Sequence, residues 1–121
     1  MNSQSDMNSD FRAMRIKMIE TPLAKTIHNS AIWCLFRRLV YQDVFSRSEL
    51  LEVAGCEAKM LRVIGDMERL IEMLEIGAPE FRSALEEKLE LARQKYAESL
   101  IELHQRMYAI VMQHDLRGAK L

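Results

Sequence analysis

With 121 residues, 49% of them hydrophobic and 29% charged, the chain suits one domain that can bury a real core but not two. Only 4 Gly and 2 Pro favour a compact all-α protein over a β-sandwich or a disordered polypeptide. A formal net charge of −1 gives no overall attraction for phosphate, although residues 1–65 carry nine Lys/Arg against seven Asp/Glu and residues 66–121 eight against eleven.

Residues 1–9 are polar and aperiodic, which predicts a mobile tail ahead of a single helical domain over residues 10–121. The start MNSQSDMNSD lacks the apolar core of a signal peptide, and no stretch of about 18 apolar residues exists to cross a bilayer. A first helix is expected from Asp10 to Ile19, made basic by Arg12, Arg15 and Lys17; this is either a solvated face or a phosphate-contacting arm. Thr21 then caps a new turn begun by Pro22, a residue suited to the first helical position.

Ser30 can cap a helix from Ala31 to about Asp43, whose Ile32, Trp33, Leu35, Phe36, Leu39 and Val40 form a broad apolar face. Trp33 reads as a packing anchor, because Phe36 and Val40 share its face. Arg37 and Arg38 lie off that face, where they meet phosphate or water. Cys34 and Cys56 fall inside apolar helical patterns, so both are expected as buried free thiols in a reducing cytoplasm. Ser46 and Glu49 make an S-x-x-E capping box that starts the next helix.

Residues 47–66 read RSELLEVAGCEAKMLRVIGD. Gly55 can supply a turn at φ > 0, with Leu50 and Ala54 before it and Cys56, Leu61 and Ile64 after it as inward apolar positions. Counted from Arg47, these are the ninth residue and the fourth, eighth, tenth, fifteenth and eighteenth. The segment resembles the helix-turn-helix family of bacterial transcription regulators, and more loosely the MarR-like winged-helix group, over about a third of the chain. Leu51 departs from the small residue usual at the fifth position. The resemblance implies a helix-turn-helix over residues 46–74, with Arg47, Ser48, Lys59, Arg62 and Arg69 contacting DNA and Arg37 and Arg38 supporting them on phosphate. Lys59, Arg62, Asp66 and Arg69 share the arc opposite Met60, Val63, Ile64, Met67, Leu70, Ile71 and Leu74, and an exposed Arg can bond guanine O6 and N7 in a bidentate manner. Any soluble helix shows such a face too.

Gly77, Ala78 and Pro79 break the period before a long final helix from about Pro79 to His114. Its stripe of Phe81, Leu85, Leu89, Ala92, Tyr96, Leu100, Leu103, Met107 and Ile110 is clean, and beyond residue 97 a second apolar set of Ala97, Ile101, Tyr108, Val111 and Met112 widens it. A helix of about 54 Å overhangs a compact globule of this length. It is therefore expected to join two protomers of a homodimer through Leu89, Tyr96, Leu100, Leu103, Met107 and Ile110. The alternative is a helix bent back within one monomer. Residues 72–88 hold no convincing strand pair, so a wing is absent or vestigial.

No Gly-rich phosphate loop, nucleophile motif or acid–base set is visible, and His28, His104 and His114 lack the spacing of a metal site, so no enzyme, metal or cofactor is expected. Two functions follow from this pattern. The first is a cytoplasmic, dimeric, sequence-specific regulator bound to double-stranded DNA. The alternative is a small helical adaptor or anti-activator whose apolar helix faces bind another protein.

Overall fold

The computed structural model describes residues 12–118. The expected tail over residues 1–9 lies outside the described residues, as do the first two positions of the expected first helix. The architecture is all-α, with no strand among the described residues, including 72–88. In chain order the elements are α1 (12–19), α2 (Pro22–His28), α3 (Ala31–Tyr41), α4 (Arg47–Ile76), a 3₁₀ turn (Pro79–Phe81) and α5 (Arg82–Gly118).

Local capping chemistry sets the breaks in the first third. The Thr21 hydroxyl accepts from the Ala24 N–H at 3.1 Å, with Pro22 opening α2, and the Ser30 hydroxyl accepts from the Trp33 N–H at 3.1 Å to open α3. At the end of α3, Asp43 takes φ 56°, its N–H donates to the Val40 carbonyl, and the Val44 N–H donates to the Leu39 carbonyl. This is a Schellman closure with aspartate at the left-handed position, one of the few side chains that tolerates it. Three residues on, Ser46 and Glu49 form the reciprocal capping box that starts α4.

Once started, α4 runs unbroken for 30 residues, about 45 Å. This overturns the expected turn at Gly55. That residue lies within the helix, no described glycine has a positive φ, and a Cβ built on Gly55 meets nothing within 4 Å. The physical reason is a period that passes through Gly55 without interruption: Val53, Met60 and Met67 recur every seven residues, and all three are buried. The helix ends where a close backbone approach demands it. A Cβ on Gly77 would stand 2.5 Å from the Met73 carbonyl oxygen, which accepts the Gly77 N–H at 2.6 Å. Pro79 then prevents continuation and α5 turns back along α4.

The two long helices form an antiparallel hairpin, and α1–α3 lie end to end along one side of its seam. Tyr96 on α5 donates its hydroxyl to the Ile19 carbonyl at 2.6 Å, and burial pushes the phenol's pKa up, keeping it a neutral donor. Ser30 Oγ lies 3.2 Å from His104 Nε2, and Arg15 on α1 reaches Glu75 on α4 at 3.6 Å. Near the open end, Phe36 of α3 stacks on Phe45 at 4.8 Å, and Phe45 meets His114 of α5 edge-on at 5.1 Å. Thus α5 is covered on two sides by its own chain, by α4 and by the α1–α3 strip. A globule was the wrong yardstick for its length, because α4 is nearly as long and runs beside it.

If α4 is continuous, Gly55→Ala should stabilise the protein by about 0.5–1 kcal/mol, the usual gain from replacing glycine inside a helix. Denaturant unfolding measures it directly. A turn at φ > 0 would instead make the alanine destabilising.

Candidate functional site

The residues expected to read DNA do not converge. Arg47 and Arg69 are 22 positions apart on one straight helix, about 33 Å, and no second short helix sets a reading angle. Two of these cations are already engaged. Lys59 Nζ lies 3.0 Å from Glu102 on α5, and Arg69 pairs with Asp66 one turn before it. Ser48 and Arg62 are exposed on α4 far from one another, while Arg37 and Arg38 stand exposed on α3, where Arg37 edges a cleft with Trp33, Tyr41 and Glu57. Among the described residues these side chains do not share one reading surface.

The expected dimer residues are likewise spoken for. Leu89, Tyr96, Leu100, Leu103, Met107 and Ile110 are all buried within a single chain, Leu100 and Leu103 completely. They form the hairpin's core within one chain. Of the second apolar set, Val111 is buried as well, whereas Ile101 and Tyr108 stay about half exposed. Cys34 corrects another expectation: both thiols are free, but Cys34 is exposed on the outward side of α3 and Cys56 only half-buried.

The histidines are partnered rather than clustered. His28 packs edge-on to Trp33 at 4.5 Å, His104 meets Ser30, and His114 Nε2 stands 2.9 and 3.0 Å from the two carboxylate oxygens of Glu49. Among the described residues, no group of three His, Cys, Asp or Glu side chains is placed to hold a metal ion. The Glu49–His114 pair does structural work, tying the first turn of α4 to the far part of α5. The Ser46 N–H donates to the Glu49 carboxylate at 2.8 Å, and this bond holds its pKa below the ordinary value, helped by His114 and the Ser46 hydroxyl against an opposing effect of burial.

What the structure leaves open is the other end of the hairpin, on the side that α1–α3 do not cover. The same seam is treated differently along its length. Towards the open end, ion pairs roof it, Glu52–Arg106 at 3.9 Å and Lys59–Glu102 at 3.0 Å. Towards the turn no such pair spans it among the described residues, and apolar side chains stand out instead: Met73 is 52% exposed, Ile76 79%, Phe81 60% and Leu91 55%. Between Met73, Ile76 and Gly77 on one wall and Phe81, Ala84 and Lys88 on the other lies a groove of about 560 Å³. It is followed along the seam by a hollow of about 370 Å³ that reaches Val63 and Lys95.

Sequence reasoning assigned Phe81 to a core stripe and gave Met73, Ile76 and Leu91 no role. The available signal was the apolar side chains placed off the buried seven-residue period at the turn end of both helices. No protein-family model matches the chain, and no curated protein or solved structure is similar to it. No helix among the described residues is long and apolar enough to cross a membrane.

Because the carboxylate of Glu49 is more acidic folded than unfolded, its contribution is present above the unfolded value of about 4.3 and is lost as pH falls through the lower folded value. Unfolding free energy measured from pH 6 downwards should therefore drop less steeply below about pH 5 for Glu49→Gln than for the unaltered chain. Superimposable slopes would show that Glu49 is not linked to folding.

Proposed function

We propose that this protein is a small helical adaptor that binds another protein through the uncovered turn end of its α4–α5 hairpin. The observation that supports this reading is the group of half-or-more exposed Met73, Ile76 and Phe81 around one groove, with Leu91 in the hollow that continues it, on a hairpin whose own core is already complete. Scattered exposed apolar residues are ordinary on any protein surface; several converging on one concavity mark an interaction site. The ion pairs that span the seam between α4 and α5 stand towards the open end and leave this stretch without a roof.

A second feature fits an adaptor. The outward side of α4 between Leu51 and Gly65 is made of Leu51, Ala54, Gly55, Ala58, Leu61 and Arg62, all exposed. Small side chains there let a neighbouring backbone come close, and the glycines make no demand of the fold, since Cβ atoms at Gly55 and Gly65 meet no backbone. A partner on the groove and the bare side of α4 can therefore be accommodated without rearrangement of the core. The DNA reading has no comparable support, because its cations are dispersed and partly paired.

The test pairs binding with stability. Met73→Glu and Leu91→Glu should leave the unfolding midpoint nearly unchanged, as both side chains already face water, yet remove a stoichiometric partner identified by mass spectrometry and reconstituted from purified components. Arg38→Glu, on the far side of the molecule, should retain that partner. Undiminished reconstitution by both groove variants would overturn the proposal, as would a salt-resistant enrichment of one sequence when the chain alone selects from random DNA.

A further inference from the structure

We infer that the groove at the turn end takes an amphipathic helix whose apolar stripe is flanked by carboxylates on the side that faces α5. This rests on the adaptor reading and specifies its partner. Shape comes first. The groove runs along the seam between two antiparallel helices, from Phe81 and Ile76 at the turn to Leu91 and Val63, and its floor is apolar throughout, with Leu70, Leu85 and Ala92 beneath. A third helix laid into the furrow between two others is the packing that such a surface offers, because side chains at i, i+3, i+4 and i+7 drop between the two walls. The strip α1–α3 already solves the same problem on the opposite side of this hairpin, where Ile27 and Phe36 are buried.

Charge selects among helices. The charged side chains that edge the two hollows are Asp66, Arg69, Glu72, Lys88 and Lys95. Arg69 is bound to Asp66, which leaves Lys88 and Lys95 on the α5 wall and Glu72 on the α4 wall. Neither lysine has an ion-pair partner among the described residues, although Arg106, a cation further along α5, is paired across the seam with Glu52. Lys88 and Lys95 are seven residues apart, two turns or about 10 Å along α5, so both point to the same side of the groove. A helix with Asp or Glu at matching i and i+7 positions meets both; a helix with Lys or Arg there meets two like charges as it approaches. Leu91 lies between the two lysines in sequence and supplies the apolar contact between them.

Two designed peptides of about 14 residues, four helical turns, test this directly. They share a Leu stripe and differ only in carrying Glu or Lys at i and i+7 along one flank. With the full-length protein at low salt, fluorescence anisotropy should show the Glu peptide binding at least about tenfold more tightly than the Lys peptide. K88E/K95E should reverse that order, the preference should shrink as salt is raised, and Leu91→Glu should abolish binding of the Glu peptide.

Equal affinity for the two peptides, preference for Lys, a preference that survives K88E/K95E, or failure of both peptides to bind would each overturn the inference. A concentration-dependent dimer in sedimentation that Leu91→Glu dissolves would assign the groove to a second copy and overturn it as well. These outcomes are separate from the adaptor reading, which stands or falls with loss of the natural partner on Met73→Glu and Leu91→Glu. A partner reconstituted through the groove but lacking an acidic helix leaves that reading in place while removing this one.

Discussion

Everything in this molecule depends on one apolar seam, shared by two helices of 30 and 37 residues that run antiparallel. Met67, Ile71, Leu100, Leu103 and Val111 are the fully buried side chains of that seam and its surroundings, each contributing about 1.5–3 kcal/mol by leaving water. An isolated helix of either composition would be marginal; paired, each gives the other a cover along its whole length. The tie between Glu49 and His114, the Tyr96 bond to the Ile19 carbonyl and the α1–α3 strip are arranged around this seam. Surface ion pairs such as Lys59–Glu102 add little free energy of their own.

The seam also explains why Gly55 does not turn. A helical glycine costs about 0.5–1 kcal/mol relative to alanine, less than the about 1.5–3 kcal/mol lost by withdrawing Val53 from the buried line that continues through Met60 and Met67. The apolar residues that match a helix-turn-helix include Leu50 and Leu61, which stand substantially exposed, so that pattern was drawn partly from the wrong face. The true inward set, recurring every seven residues from Val53, was legible in the same stretch. It requires no glycine at a special φ. The position that does need glycine is Gly77, where a side chain would collide with the Met73 carbonyl, and there the sequence shows it by placing Pro79 two residues on.

Caps were the most readable part of the chain, because Thr21, Ser30 and the Ser46–Glu49 box act on neighbours three residues away and need no tertiary context. The stripe of α5 was readable for a similar reason. What covers that stripe was not. A helix apolar on two sides requires two covers, and periodicity alone does not distinguish a second protomer from two segments of the same chain. Here α4 and α1–α3 supply both covers, and Leu89 through Ile110 lie in the core of one chain. The groove was less readable still: Met73, Ile76 and Leu91 belong to amphipathic helices whatever their exposure, and only the extent of the α1–α3 strip and the positions of the cross-seam ion pairs leave them bare.

The unbroken course of α4 is the central claim, since it creates the seam, disperses the cations and leaves the turn end open. It can be measured as a distance. With Cys34 and Cys56 replaced by alanine, spin labels on the exposed positions Arg47 and Glu72 should lie about 38 Å apart, 25 residues of straight helix. Pulsed dipolar spectroscopy giving a dominant distance near that value would support a single α4. A dominant distance near 25 Å, roughly that of two helices crossing steeply at Gly55, would contradict it.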